Sequence, residues 1–239
     1  MKAATALWYR ATAAYMQHQR HTDLSHLEGA MRAFPDDPGI LFLAGALREL
    51  SAEPRIQEVV DTVDLPYGMK LGIESPRDEL RGAERLFRRA LEKDPRMTEA
   101  RIRRGNVLGL LGRHEEAVKE LEQALDSVGE DPLLTYYARM FLGRSADALG
   151  DVNKAHASYE RAALLYPRAQ SPTVALDRLG RLAGGSSPQD ALDRAIRSGR
   201  ADANDDPWWR YASNAGRSSD TLIAEARERF VGGTGTRQP

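Results

Sequence analysis

Cysteine is absent from the chain, and its absence excludes disulfides, thiolate metal sites and a cysteine nucleophile. An excess of either charge is missing too. Lys and Arg number 34 against 35 Asp and Glu in 239 residues, so no global field draws in nucleic acid or an anionic membrane. No apolar run approaches the roughly 18 residues that a membrane-spanning helix needs. The opening stretch Met1 to Arg10 lacks the apolar core of a secretory signal because Arg10 interrupts it, and it reads as a first helix. A cytoplasmic protein is expected, or a periplasmic one if a leader has been removed. Richness in Ala and Arg suggests a bacterial source of high GC content. Also missing are a Gly-rich phosphate loop ending in Lys-Ser/Thr, a His-Glu-x-x-His pair and a Gly-x-Ser-x-Gly elbow. Neither an enzyme nor a cofactor is therefore expected.

What the chain does contain is itself, several times over. Gly105, Gly112, Ala117, Leu121 and Ala124 recur 38 residues later as Gly143, Gly150, Ala155, Tyr159 and Ala162. Ala83, Phe87 and Ala90 precede Ala117, Leu121 and Ala124 by 34, so the period is 34, with four extra residues near Asp126 to Pro132. Leu27, Ala30, Pro35 and Gly45 lie 60 residues before Phe87, Ala90, Pro95 and Gly105. One period plus an insertion accounts for that offset, and residues 51–76 are the place for it.

Small residues let helix axes approach where they cross, large apolar side chains fill the hollow between hairpins, and Pro with its preceding residue stops a helix. Leu-Gly-Arg at 111–113 and Leu-Gly-Asp at 149–151 are the turns between the helices of a pair. This pattern resembles the tetratricopeptide repeat, a 34-residue pair of antiparallel helices with small residues at positions 8, 20 and 27, a large apolar one at 24 and Pro at 32. The resemblance implies an all-α, right-handed superhelical solenoid of helix hairpins. Its repeats fall at about 4–37, 38–97 with the insertion 51–76, 98–132, 132–167 and a degenerate 171–197, followed by a capping segment at 205–230 and a disordered tail at 232–239. Residues 1–231 then form a single solenoid. Trp208 and Trp209 fit a buried cover at the solenoid end, with a ligand platform as the alternative.

The resemblance also implies the function, a scaffold that binds a segment of another protein in a groove lined by the first helix of each hairpin, within a larger bacterial assembly. Carried over position by position, the groove takes Trp8, Tyr9 and Tyr15 from repeat one and Phe42 from repeat two. Repeat three gives Ile102, Arg103 and Asn106, and repeat four gives Tyr137, Met140 and Arg144. Leu43, Leu110 and Phe141 share such positions but fit the core better. Arg103 and Arg144 are expected at the surface, fixing an acidic group of the partner. The carboxylate clamp known in the family is broken here, since Ile102 stands where its first Lys belongs. The insertion carries Leu65, Tyr67, Met69 and Leu71, an apolar loop that should pack in the groove or on a partner.

Two other chemistries compete with this reading. His18, His21 and His26 with Asp23 offer metal ligands, but they straddle a turn, where solvated histidines are the simpler account. The basic run from Arg77 to Arg104 offers phosphate contacts. Its ten basic residues are interleaved with six acidic ones and with no exposed aromatic platform, which suits a solvated helix face better than a nucleic-acid site.

Overall fold

The computed structural model describes residues 25–54, 74–182 and 206–211. Helices α1 (Ser25–Ala33), α2 (Pro38–Ser51) and α3 (Pro76–Lys93) belong to one compact unit. Helices α4 (Thr98–Leu110), α5 (His114–Ser127), α6 (Pro132–Ala148), α7 (Val152–Leu165), α8 (Gln170–Leu182) and the single turn α9 (Pro207–Arg210) belong to the second, Arg96–Tyr211. Among the described residues there is no strand, as the resemblance implies. Trp8, Tyr9, Tyr15, the histidine cluster, Leu65, Tyr67, Met69, Leu71, the end of the degenerate repeat, most of the capping segment and the tail lie outside the described side chains.

Several helices start with the same local device. An Asp or Ser caps the first turn and a Pro follows it, supplying the φ a helix needs where its missing N–H costs nothing. Asp37 accepts from the Ile40 N–H before Pro38, Ser75 accepts from the Asp78 N–H before Pro76, and Asp131 accepts from the N–H groups of Leu133 and Leu134 around Pro132. The turns at Gly112 and Gly150 have φ of 80° and 77°, the left-handed stop that Gly adopts without a Cβ penalty.

Within each unit the helices pair as antiparallel hairpins, α2 with α3, α4 with α5 and α6 with α7. One contact recurs in all three. A Cβ on Gly45 would stand 2.7 Å from Phe87, one on Gly105 2.5 Å from Leu121, and one on Gly143 2.6 Å from Tyr159. The first helix gives up its side chain so that a large one from the second helix lies flat on its backbone. Ala83, Ala90, Ala117, Ala124, Ala155 and Ala162 are all fully buried beside these contacts, because the axes come too close for anything larger. In the first unit Arg48 lies across Gly82 and pairs with the buried Glu79 at 3.1 Å, so the charged end of α2 is neutralised by α3.

In the second unit, α4 and α6 lie side by side, α5 packs on α6, and α8 follows α7. The core there runs from Ile102 and Leu108 through Leu121, Tyr136 and Phe141 to Tyr159 and Leu179. Leu110 departs from the core expectation and is 48% exposed. It sits at the last turn of α4, next to the Gly112 stop, where the chain turns away before another helix covers it.

Candidate functional site

In the second unit α4 and α6 lie side by side, α9 lies against α6, and Asp206 bridges Tyr136 of α6 and Ser171 of α8, so that α4, α6 and α8 contribute to one face. These helices carry Ile102, Arg103, Asn106, Tyr137, Met140 and Arg144, which the repeat register assigns to a groove. Tyr137, Met140 and Phe141 are buried on α6, Ile102, Arg103 and Asn106 are buried on α4, and Arg144 is half-buried between the two helices. In the first unit Phe42 is buried and meets Phe87 with ring centroids 6.0 Å apart, so there it serves the hairpin core.

Arg103 departs from the expectation of a surface cation, being 4% exposed. Its Nε donates to Glu99 at 3.2 Å and its guanidinium lies 4.8 Å from the centre of the Tyr211 ring, so a carboxylate one turn back and an aromatic lid together remove it from water. Arg144 donates to the side-chain and backbone oxygens of Asn106. Its guanidinium also lies over Phe141 at 5.3 Å and Trp208 at 6.0 Å. Both arginines thus act as cation–π partners as well as charges.

The rings come from a stretch far along the chain. Asp206 through Tyr211 lies on the α4–α6–α8 face, held first through the Asp206 carboxylate. One oxygen accepts from the Tyr136 hydroxyl at 2.8 Å and from the Trp208 N–H at 3.0 Å. The other accepts from Ser171 twice, the N–H at 2.8 Å and the hydroxyl at 2.6 Å. Tyr137 donates to the Pro207 carbonyl at 3.0 Å. Trp208 packs on Phe141 at 5.4 Å, and Tyr211 meets Tyr137 at 4.9 Å and Phe141 at 4.8 Å, both edge to face. Tyr136 completes the cluster against Tyr166 at 5.1 Å.

Sequence reasoning did not single out Tyr136, Ser171, Asp206 or Tyr211. One signal was present, since Asp206-Pro207 repeats the Asp-Pro that starts α2 and α6. Trp208, one residue further on, packs on Phe141 of α6.

Burial, followed by the charge and hydrogen bond of Asp206, pushes the Tyr136 phenol far above its ordinary range. Burial pushes Tyr159 up to about 12, against a lowering by Arg144. In the unfolded chain both ionise near pH 10, while the folded protein still holds their protons. The native state therefore binds more protons above that pH, and its stability is expected to fall as pH rises from about 10. Denaturant midpoints measured across that range check it, and an ultraviolet titration of the native protein should leave both phenols un-ionised until late.

The basic run is largely neutralised. Arg81 pairs with Asp78, Arg88 with Glu84 and Glu92, Arg89 and Lys93 with Asp36, Arg101 and Arg104 with Glu120, and Arg103 with Glu99. Among the described residues no group of His, Asp and Glu could hold a metal ion. None of their helices is long and apolar enough to cross a membrane.

The comparisons with known proteins agree with this geometry. The tetratricopeptide repeat family matches residues 77–135, the stretch from α3 into α6. No curated protein sequence matches the chain. Among solved structures, the chain resembles MamA from Desulfovibrio magneticus RS-1 at 16% identity and a TM-score of 0.58, over 83% of this chain and 97% of that one. It resembles PilF of Pseudomonas aeruginosa at 15% identity and 0.60, over 98% and 95%. A third is PilW, described as a type IV pilus biogenesis factor, at 16% identity and 0.60, over 98% and 96%. At such identities the likeness speaks for the fold alone, a repeat solenoid. Residues 77–135 are thus tetratricopeptide repeat by the family match, and the recurrent Gly-to-large-residue contact extends the same hairpin packing to Gly45 and Gly143 on either side.

Proposed function

We propose that this chain is a non-catalytic scaffold that binds a segment of another protein on the α4–α6–α8 face of its Arg96–Tyr211 unit, as a subunit of a larger bacterial assembly. One observation carries the reading. The face already holds a short stretch of polypeptide, Asp206–Tyr211, in the way a docked peptide is held: carboxylate and carbonyl on hydrogen-bond donors, rings on rings, and arginines above them. Buried aromatic and Arg anchors of this kind dominate binding energy at protein interfaces.

Arg144 is the residue to test, because it is half-buried on this face whereas Arg103 is enclosed. Arg144→Gln keeps a donor for Asn106 and removes the charge over the rings. Partner captured from a lysate of the source organism is expected to fall about tenfold or more, as hot-spot losses of roughly 2 kcal/mol imply, while the melting temperature shifts by only a few degrees. Undiminished capture would move the binding surface elsewhere.

A further inference from the structure

We infer that Asp206–Tyr211 is a tethered stand-in for the partner, so the face takes a partner segment of the same chemistry: a carboxylate, an aromatic residue two positions on and a second aromatic five positions on. This rests on the scaffold reading above and names the ligand class it leaves open. An end cap would cover the outer side of the last hairpin. Here the stretch lies instead against α6, a first helix, with Tyr211 under Arg103 of α4 and Asp206 on Ser171 of α8. Every anchor is a group that another chain can present equally well. Tyr136 and the N–H and hydroxyl of Ser171 converge from two helices on a single carboxylate, Tyr137 reads the next carbonyl, and the two arginines favour electron-rich rings over aliphatic or cationic side chains.

The chemistry therefore selects an acidic–aromatic segment and disfavours a basic one. Residues 183–205 join the stretch to α8, so the competitor is always present in the same chain. A tethered ligand acts at an effective concentration on the order of millimolar, and a free partner must outcompete it.

The test uses the full chain and a fluorescein-labelled peptide of residues 204–213, Asn-Asp-Asp-Pro-Trp-Trp-Arg-Tyr-Ala-Ser, followed by anisotropy. The parent is expected to bind it weakly. The double variant Trp208→Ala with Tyr211→Ala, whose own stretch has lost both rings, is expected to bind at least about tenfold tighter. A peptide with Ala in place of its carboxylates and rings should bind neither. Equal affinity of parent and variant, or no binding to a variant that circular dichroism shows to be folded, overturns the inference. Should the double variant fail to fold, Tyr211→Ala alone is held to the same criterion. A gain accompanied by concentration-dependent dimerisation of the parent, reporting exchange of the stretch between two copies, overturns it as well. Partner capture that excess peptide leaves unchanged, but that Arg144→Gln abolishes, would spare the scaffold face and overturn its acidic–aromatic chemistry.

Discussion

Gly105→Leu is expected to lower the melting temperature by about 6–12 °C, the shift that a loss of about 3 kcal/mol produces in a chain of this size. A first carbon alone would stand 2.5 Å from Cγ of Leu121 and 2.8 Å from its Cδ2, and Leu121 is fully buried. The added helix propensity of Leu over Gly, worth less than about 1 kcal/mol, does not offset such overpacking. Shrinking the partner should recover part of the loss, so Gly105→Leu with Leu121→Ala is expected to be more stable than Gly105→Leu alone. A thermal melt of both settles it. A single variant that melts like the parent would mean that the 34-residue register is misplaced.

Asp206→Ala should cost a comparable amount for a different reason. The carboxylate accepts from Tyr136, twice from Ser171 and from Trp208, and its loss leaves the fully buried Tyr136 hydroxyl facing a void. An orphaned buried donor costs about 1–3 kcal/mol and the lost cap of α9 about 1 more. Adding Tyr136→Phe removes the orphan and should restore roughly the first of these contributions, because apolar replacement of both partners is close to neutral. If the double variant is less stable than Asp206→Ala, the hydroxyl is satisfied elsewhere and the carboxylate is not what holds the stretch in place.

The helix hairpins were legible in the sequence because their cause is local and periodic. Gly105 and Gly143 with Leu121 and Tyr159, and the turns at Gly112 and Gly150, repeat at a fixed offset, and repetition makes a weak signal readable. Arg103 shows where that legibility ends. Its register position predicted the groove face, but its burial depends on Tyr211, which lies 108 positions further along and belongs to no repeat. The same holds for Tyr136 and Ser171, ordinary residues until Asp206 comes to rest on them. Periodicity tells which faces meet within the array. It carries no information about a single stretch that returns from outside the period.

Five glycines of this chain are constrained in two unrelated senses, and a lineage can leave them by different routes. At 45, 105 and 143 the constraint is volume, and a change is admissible only if the facing Phe87, Leu121 or Tyr159 shrinks in step, so these sites should drift as correlated pairs. At 112 and 150 nothing lies within 4 Å of where a side chain would begin. The constraint there is the handedness of the backbone alone, which Asn tolerates best after Gly. Those two positions can therefore change singly, with no second substitution to wait for, and the turns of this solenoid are freer to evolve than the helix crossings they connect.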